Sequence, residues 1–261
     1  MSNRLLSNTK SKVIVPNWSK PTNIKAVFTS RQGGVSSSPW DSFNLGLNTQ
    51  DDEQSLKTNR DMLAKDLPNN LKIQWLKQVH AAQVYAAKFD SSENLPTADI
   101  CFTTEQSIAC AVLTADCLPI LICDKLGAEV AAVHAGWRGL VCGVLQNAIE
   151  QFTSPVEELS IWIGPAICQN HFEVGQEVIE AMLEAQLFSQ SELPYVSLPS
   201  ERETSKSYLN LVEIAKRKLQ QLGVIHISGG QFCSYCDVKN FYSYRRDGET
   251  GRMASLIWIE N

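Results

Sequence analysis

The stretch LTADCLPILICDKLGAEVAAVHAGWRG, residues 113–139, decides the centre of the fold. Two apolar runs flank DKLGA, which begins with aspartate and contains glycine, as turns commonly do. The pattern predicts a β-hairpin with strands at 118–123 and 129–134. A turn centred on the Lys-Leu pair would place Cys117 opposite His134, with Cβ atoms about 4.5–5.5 Å apart. A register shift of one residue would instead put these two side chains on opposite faces.

Strands and helices alternate outward from this hairpin, with several strands following one another through short turns. The predicted strands are 24–30, 73–79, 83–89, 109–114, 118–123, 129–134, 159–163, 224–228 and 254–259. The predicted helices are 53–66, 139–152, 175–187 and 208–221. This order does not fit a simple βαβ repeat, and it predicts an α/β fold with a mixed sheet, or two packed sheets, flanked by helices.

Composition and charge narrow the possible functions. The chain has 261 residues and a net charge of −5, so no basic excess exists to neutralise phosphates, and nucleic-acid binding is disfavoured. No signal-peptide pattern and no apolar run long enough to cross a bilayer is found. Eight cysteines without a secretory signal are expected to be reduced thiols, which predicts a cytoplasmic protein.

Three scattered residues suggest one metal site, namely His80 in LKQVHAAQV, Cys117 and His134. Two imidazoles and a thiolate suit zinc with one coordination position left open for substrate. A second predicted hairpin, between LKIQWLKQV and AAQVYAAKF, would place His80 at its apex. The alternatives are structural histidines, a buried thiol, or a nucleophilic Cys117 activated by His134.

The segment HAGWRG adds a possible anion site beside these residues. Gly136 and Gly139 bracket a tryptophan and Arg138 directly before a predicted helix. Helix N-termini and arginine both favour phosphate or carboxylate groups. The alternative is a tight strand-to-helix turn with an exposed arginine.

Other motifs carry less weight. Neither GxGxxG nor GxxxxGK[ST] is present, so dinucleotide and P-loop functions lack support. CSYC, residues 233–236, has metal-ligand spacing, but His226 is its only predicted partner, so two unlinked thiols are expected. Residues 189–207 are predicted to be a surface loop, with a flap over the substrate as the alternative.

Several motifs in order resemble the YfiH-type laccase-domain family, which is also described as purine nucleoside phosphorylases and peptidoglycan-editing factors. They are TSRQGGVSSSPWDSFNLGLNTQDD, QVH, TADCLPILICD, VAAVHAGWRG, IGPAIC and FYSYRRDGETGRMASLIWI. The resemblance covers the chain from about residue 24 to its C-terminus. The sequence departs from the family pattern in two places, both outside the three-ligand motif. One is CQNHF, which contains Cys168 and His171, and the other is the second cysteine of CSYC.

The resemblance implies a single catalytic domain, 1–261, whose residues 1–23 form an N-terminal extension. The implied fold has layered mixed β-sheets flanked by helices, a cysteine-hydrolase-type fold shared with a bacterial toxin catalytic domain. It implies zinc held by His80, Cys117 and His134. It also implies phosphorolysis of adenosine, inosine and methylthioadenosine, with adenosine deamination as a side activity.

For phosphorolysis we expect catalytic roles for the three ligands and for Arg138, which would bind phosphate beside zinc. The predicted substrate-binding residues are Arg31, Asn44, Asp116 and Arg245. The group that donates a proton to the departing purine is expected to be one of these four. Known zinc deaminases use H-x-E. Here the residue two beyond His134 is glycine, so deamination would need another proton shuttle, for which Asp116 is the candidate.

Two other activities stay open. Cys117 could be the nucleophile of an amidase that edits peptidoglycan precursors, or a copper ion could replace zinc in a polyphenol oxidase. Four histidines without a His-X-His pair cannot fill a four-copper site, whereas a single copper on two histidines and a cysteine is conceivable. The expected partners are a nucleoside and phosphate, with no nucleic acid and no membrane, and the chain is expected to be a monomer.

Overall fold

The computed structural model describes residues 13–88 and 95–260. The predicted α/β class is confirmed, because mixed β-sheets and helices build these ranges. The predicted extension 1–23 and the predicted strand 83–89 lie partly outside the described residues. Each of the nine predicted strands overlaps an observed strand.

The strands are β1 Val13–Ile14, β2 Ile24–Thr29, β3 Lys72–Gln74, β4 Val84–Ala86, β5 Ile100–Thr103, β6 Ile108–Thr114, β7 Leu118–Asp124, β8 Val130–Ala135, β9 Leu159–Ile163, β10 Glu173–Gly175, β11 Ser197–Pro199, β12 Lys206–Leu209, β13 His226–Gly229 and β14 Met253–Ile259. The α-helices are α1 Glu53–Lys65, α2 Trp137–Val141, α3 Val144–Ile149, α4 Gln176–Glu184, α5 Leu193–Val196, α6 Leu211–Gln221 and α7 Tyr244–Asp247. Short 3-10 helices cover Val156–Glu158 and Gln169–His171.

Two mixed sheets form the centre of the molecule. One has the order β1-β2-β14-β6-β3 and the other β13-β9-β7-β8-β5-β4. Side chains alternate between the two faces of a strand. In β7 this puts Leu121 against the other sheet, in a shared core with Val112 and Ile257, while Ile120 and Ile122 face the helices. Both faces of β7 are therefore buried, as its continuous apolar sequence suggests.

Helices cover the outer faces of both sheets. Leu63 of α1 packs on the first sheet beside Phe43 and Leu256. On the second sheet, Ala148 of α3 and Ile214 of α6 share one core with the outward side chains of β7 and β8. The resulting order is helix, sheet, sheet, helices, which leaves the ends of the strands free to carry a site.

The predicted helix 139–152 is broken into α2 and α3. Gly143 lies between the two pieces with φ +82°, a left-handed conformation that interrupts an α-helix. Helix α6 begins at Leu211, later than the predicted 208, because the Asn210 side chain accepts the backbone N–H of Glu213 and caps the helix there.

The predicted loop 189–207 contains regular structure. It forms α5 and β11 and leads into β12, and β12 lies between β10 and β11 in a small antiparallel sheet. None of the described residues of this segment is among those that line the cavity of about 380 Å³ described below.

The predicted hairpin around His80 does not form. Strand β3 pairs in parallel with β6 of the first sheet, whereas β4 pairs in parallel with β5 of the second. The chain between them, which carries His80, crosses from one sheet to the other. None of the helices in the described ranges is long and apolar enough to span a bilayer.

Candidate metal centre and cavity

The hairpin of β7 and β8 brings Cys117 close to His134, but in a register two residues from the predicted one. His134 lies opposite Pro119, and Leu118 lies opposite Ala135. The turn is longer than predicted because the Asp124 carboxylate accepts three backbone N–H groups within it. A shift of two residues leaves each side chain on the same face of the hairpin, so Cys117 and His134 still lie on a common face as predicted.

Gly136 follows β8 at the position where the thiol of Cys117 lies. A Cβ atom added to Gly136 would be 2.8 Å from Cys117 Sγ and 3.3 Å from the His80 ring. Such a contact is too close for an ordinary side chain. The glycine of HAGWRG therefore makes room for the sulfur and the imidazole, and the structure gives a physical reason for glycine at this position.

His80 is positioned by the buried carboxylate of Asp99. The backbone N–H groups of Val79, His80 and Ala81 all donate to this carboxylate, at 3.2, 3.0 and 2.8 Å. His80 adopts φ +60°, which is uncommon for a residue other than glycine. The Asp99 carboxylate thus stabilises a strained turn that points His80 towards the hairpin.

His134 is held by the same carboxylate. Its Nδ1 lies 2.8 Å from Asp99 Oδ1, and both side chains are almost fully buried. This contact leaves Nε2 of His134 available. The rings of His80 and His134 meet edge to face at 4.7 Å, and the ligating atoms of His80, Cys117 and His134 lie within 4.8 Å of one another.

The electrostatics of this cluster favour a thiolate. Burial opposes ionisation of Cys117, but the charge of His134, with hydrogen bonds from His134 and His80, lowers its pKa to about 6. Burial likewise opposes a charged His134, yet the Cys117 thiolate and the Asp99 contact raise its pKa to about 9. Each group therefore stabilises the charge of the other.

The donor set fits a divalent metal ion. One thiolate and two imidazoles are preferred zinc ligands, and three protein ligands are typical of catalytic zinc sites. A carboxylate bonded to the second nitrogen of a ligating histidine is also a common feature of such sites. Asp99 supplies that carboxylate to His134. The fit concerns the class of metal, and the same donors are compatible with copper.

The cluster opens into a cavity of about 380 Å³. This volume lies within the roughly 300–1,000 Å³ of ordinary small-molecule sites. Its described lining is rich in cations and aromatic rings, and Asp116 is its single carboxylate. The cations are Lys77, Arg60, Arg245 and Arg252, and the aromatic side chains are Trp137, Phe172 and Tyr244.

Two predicted substrate-binding residues, Asp116 and Arg245, line this cavity. The Asp116 carboxylate accepts the hydroxyl of Ser234 at 2.6 Å and the backbone N–H of Arg245 at 2.7 Å. Asp116 also adopts φ +91°. The Arg245 guanidinium donates to the carbonyl oxygens of His171 and Glu173. Both residues therefore line the cavity and also hold neighbouring segments of its wall together through these hydrogen bonds.

The structure places Arg138 outside the described lining of the cavity. Its guanidinium lies over the ring of Trp137, 4.3 Å from the centroid, and its side chain is exposed. Helix α2, which begins beside it, has only five residues. The structure therefore does not bring Arg138 into the described lining beside the three ligands.

Arg31 and Asn44 also lie outside the described lining. Arg31 pairs with Asp41 and lies over the ring of Tyr242 at 4.7 Å. Asn44 is fully buried, and its carbonyl oxygen accepts the backbone N–H of Arg252 at 2.8 Å. Asn44 thereby positions Arg252, which directly precedes β14, so its connection with the site is indirect.

Two arginines of the cavity, Arg252 and Arg60, are not among the predicted substrate-binding residues. Arg252 follows the DGETG turn, and burial lowers its pKa while the charges of Cys117 and Asp116 raise it. Arg60 lies on α1, stacks on Trp75 at 4.1 Å and donates to the carbonyl of Leu45. The GRMAS motif was a signal for Arg252, whereas no local pattern identifies Arg60.

A second cluster of potential ligands lies apart from the three-residue set. The prediction that CSYC lacks a nearby ligand pair is wrong, because Cys168 and His171 lie next to Cys233 and Cys236. His226, the partner considered from the sequence, is exposed at the start of β13 and does not belong to the cluster.

Comparison with known proteins shows the family. Residues 25–260 match the family described as multi-copper polyphenol oxidoreductase laccase. The chain is similar to the purine nucleoside phosphorylase of Haemophilus influenzae, at 41% identity over 95% of this chain and 99% of the relative. It is also similar to the purine nucleoside phosphorylase YfiH of Escherichia coli, at 40% identity over 95% and 99% of the two chains.

Solved structures agree with this assignment. The crystal structure of Neisseria meningitidis protein NMB0706 superposes with a TM-score of 0.89 at 37% identity, covering 96% of this chain and all of that one. The structure of Bacillus licheniformis YfiH gives 0.84 at 27% identity, covering 91% and 93%. The resemblance inferred from the motifs is therefore confirmed.

Proposed function

We propose that this chain, which belongs to the multi-copper polyphenol oxidoreductase laccase family, is a zinc-dependent purine nucleoside phosphorylase. The relatives named as purine nucleoside phosphorylases support an enzyme of this kind. The observation that carries the proposal is one cavity in which a Cys/His/His set, several guanidinium groups and aromatic rings face one another. The guanidinium groups suit phosphate, and the aromatic rings suit a purine.

His80, Cys117 and His134 would hold the zinc ion, which when bound supplies Lewis-acid charge to a substrate oxygen. The protein's own part is to keep these ligands oriented. Asp99 does so by accepting hydrogen bonds from the His134 ring and from the backbone around His80. A third ligand from a different segment makes the centre dependent on the folded state.

Phosphate would bind to the arginines of the cavity. Arg252 lines the same cavity as the three ligands, and its guanidinium is held in place by the carbonyl oxygens of Thr250 and Gly251. Arg60 and Arg245 contribute further positive charge to the lining. Guanidinium groups suit phosphate because their planar donors match its oxygens. We assign this role to Arg252, which lines the cavity, in preference to Arg138, which lies over the Trp137 ring and is not among the described lining residues.

The purine would occupy the aromatic part of the cavity, beside Tyr244 and Phe172. In the reaction, a phosphate oxygen forms a bond to the anomeric carbon of ribose while the bond from that carbon to the purine nitrogen breaks. Positive charge develops on the sugar, as in glycoside cleavage. The departing purine takes up a proton, and the Tyr244 hydroxyl is a candidate donor. Adenosine, inosine and methylthioadenosine are the proposed substrates.

Adenosine deamination is proposed as a side activity. A water oxygen would form a bond to the purine carbon that carries the amine, the C–N bond would break, and ammonia would leave after taking up a proton, so a group that moves protons is needed. Asp116 is the one carboxylate among the described lining residues, and both of its oxygens already accept short hydrogen bonds. Deamination should therefore be slow compared with phosphorolysis. Inosine formed from adenosine without phosphate would reveal it.

A second candidate function is an amidase that uses Cys117 as nucleophile. The lowered pKa of the thiol, next to His134 and through it Asp99, is the arrangement that activates a cysteine. A multi-copper oxidase is less well supported, because four histidines in the whole sequence are too few for a four-copper arrangement. The thiol chemistry would require a reducing compartment, and we propose the cytoplasm.

The test measures purine release from inosine with and without inorganic phosphate. We expect hypoxanthine and ribose 1-phosphate only when phosphate is present, and loss of both in Cys117→Ala. The matched control is Cys142→Ala, which changes an exposed cysteine outside the cavity lining. Hypoxanthine release that is indifferent to phosphate would refute phosphorolysis. Cleavage of a peptidoglycan precursor by metal-free protein would favour the amidase.

A further inference from the structure

The second cluster joins two loops that follow neighbouring strands. Cys168 and His171 come shortly after β9, and Cys233 and Cys236 come shortly after β13. These strands are parallel, and an isolated bridge between Ala166 and Cys233 extends their pairing into the loops. The fold therefore delivers both ligand pairs to the same end of the sheet.

Two of the three short donor–donor distances in this cluster match a tetrahedral zinc site, and the third is shorter. Cys168 Sγ lies 3.8 Å from Cys236 Sγ and 3.2 Å from His171 Nδ1, and Cys236 Sγ lies 3.5 Å from the same nitrogen. All four ligating atoms are within 4.8 Å of one another. Zinc bonds of about 2.3 Å to sulfur and 2.0–2.1 Å to nitrogen separate tetrahedral ligands by roughly 3.5–3.8 Å.

The surrounding groups stabilise negatively charged sulfur. The backbone N–H groups of Cys168 and Cys236 both point at Cys233 Sγ, at 3.3 and 3.4 Å. The Arg246 guanidinium donates to the carbonyl oxygens of Ser234 and Tyr235, inside the CSYC turn. The same guanidinium also pairs with the Asp247 carboxylate at 2.7 Å, so Arg246 acts mainly by holding the CSYC turn in place.

His171 is oriented by stacking. Its ring lies parallel to that of Tyr235, with centroids 3.9 Å apart and planes 16° from each other. The stacking fixes the ring while Nδ1 faces the sulfur atoms of Cys168 and Cys236. A fixed ring lowers the conformational cost of binding a metal ion.

We propose that Cys168, His171, Cys233 and Cys236 bind one structural zinc ion, separate from the centre at His80, Cys117 and His134. Four protein ligands close the coordination sphere, so this ion has no open position for substrate. The inference goes beyond the proposed activity, and the two sites can be tested separately.

The zinc ion would brace the wall of the cavity. Phe172, directly after His171, lines the cavity, and Ser234, directly after Cys233, bonds to Asp116. Linking the two loops through a metal holds these groups in place. The binding free energy of such an ion also adds to folding stability.

The experiment counts zinc in protein purified under reducing conditions without chelator. We expect about two zinc ions per wild-type chain and about one in the double variant Cys168→Ser/Cys236→Ser. Cys117→Ala should also retain about one, held by the second cluster. Cys142→Ser is the matched control, an exposed cysteine outside both clusters, and should retain both ions. Cobalt loaded into Cys117→Ala should show the absorption of a tetrahedral thiolate site.

Two results would overturn the proposal. One is a metal-free Cys117→Ala protein, and this result does not depend on whether the double variant folds. The other is a wild-type mass that shows a disulfide between Cys168 and Cys236 in protein kept reduced. A failure of the phosphorylase proposal would look different, since it would leave the second zinc ion and its cobalt spectrum in place.

Discussion

Replacing Asp99 by asparagine should weaken the metal centre without changing any of its ligands. Each carboxylate oxygen of Asp99 accepts two hydrogen bonds. Oδ1 accepts from His134 Nδ1 and the backbone of His80, and Oδ2 accepts from the backbones of Val79 and Ala81. An asparagine side chain has one oxygen and one NH₂ group. Whichever way it is turned, two donors face another donor.

The size of the effect follows from these contacts. A buried donor left without an acceptor costs about 1–3 kcal/mol, so two of them lower the free energy of unfolding by roughly 2–6 kcal/mol. Loss of a carboxylate behind a ligating histidine typically reduces metal affinity about 10–100-fold. Because Asp99 also holds the turn at His80, we expect the upper part of this affinity range.

Zinc affinity would be measured by competition with a chromogenic chelator, and stability by urea unfolding of the metal-free protein. Asp61→Asn is the matched control, since Asp61 is exposed on α1 and forms a surface ion pair with Lys57 at 2.9 Å. It should change the free energy of unfolding by less than about 0.5 kcal/mol. An Asp99→Asn protein with wild-type zinc affinity would refute the role assigned to this carboxylate.

Three further predictions concern other parts of the molecule. Gly136→Ala should reduce zinc content and activity together, because its Cβ would lie 2.8 Å from Cys117 Sγ; unchanged zinc would contradict the close packing. Arg252→Ala should raise the KM for phosphate at least about tenfold, as expected for a lost charged hydrogen bond, whereas Arg138→Ala should leave it unchanged; equal effects would argue against the assignment. Burial raises the pKa of the Glu129 carboxyl, but hydrogen bonds from residues 153 and 154 lower it overall. The wild-type protein should therefore be more stable than Glu129→Gln above pH ~4.3, and this difference in unfolding free energy should shrink as the pH falls further. Urea unfolding at several pH values measures it, and a difference that does not change with pH would contradict the prediction.

The central hairpin could be predicted because its information is local. Apolar runs on either side of a turn gave β7 and β8, and the parity of the register gave the common face of Cys117 and His134. The two-residue error arose in the turn, where the Asp124 side chain accepts several N–H groups and lengthens the connection. Side-chain capping of this kind is difficult to read from residue types alone.

The position of His80 could be inferred from the family resemblance but not from periodicity. Its segment is irregular and crosses between the two sheets, and its conformation depends on Asp99, which is distant in sequence. A lone aspartate before a strand gives no sign that it will bind three backbone amides. Arg60 was missed for a similar reason, because its exposure to the cavity depends on how α1 packs.

The second cluster shows the opposite case, in which the residue types were visible and their proximity was not. CSYC has an appropriate spacing, and Cys168 and His171 also have ligand chemistry. What joins them is the parallel pairing of β9 and β13, two strands separated in the sequence by helices α4, α5 and α6 and by a small sheet. Non-local pairing of this kind requires the three-dimensional structure.

The most direct test of the central claim is anomalous diffraction at the zinc edge from crystals soaked with phosphate and a non-reactive purine nucleoside. The account predicts a peak bonded to Cys117 Sγ and to nitrogens of His80 and His134 at about 2.0–2.3 Å, with phosphate next to Arg252 and the purine beside Tyr244. Nucleoside density outside this cavity would contradict the account. So would the absence of a zinc peak at Cys117 in crystals grown with excess zinc.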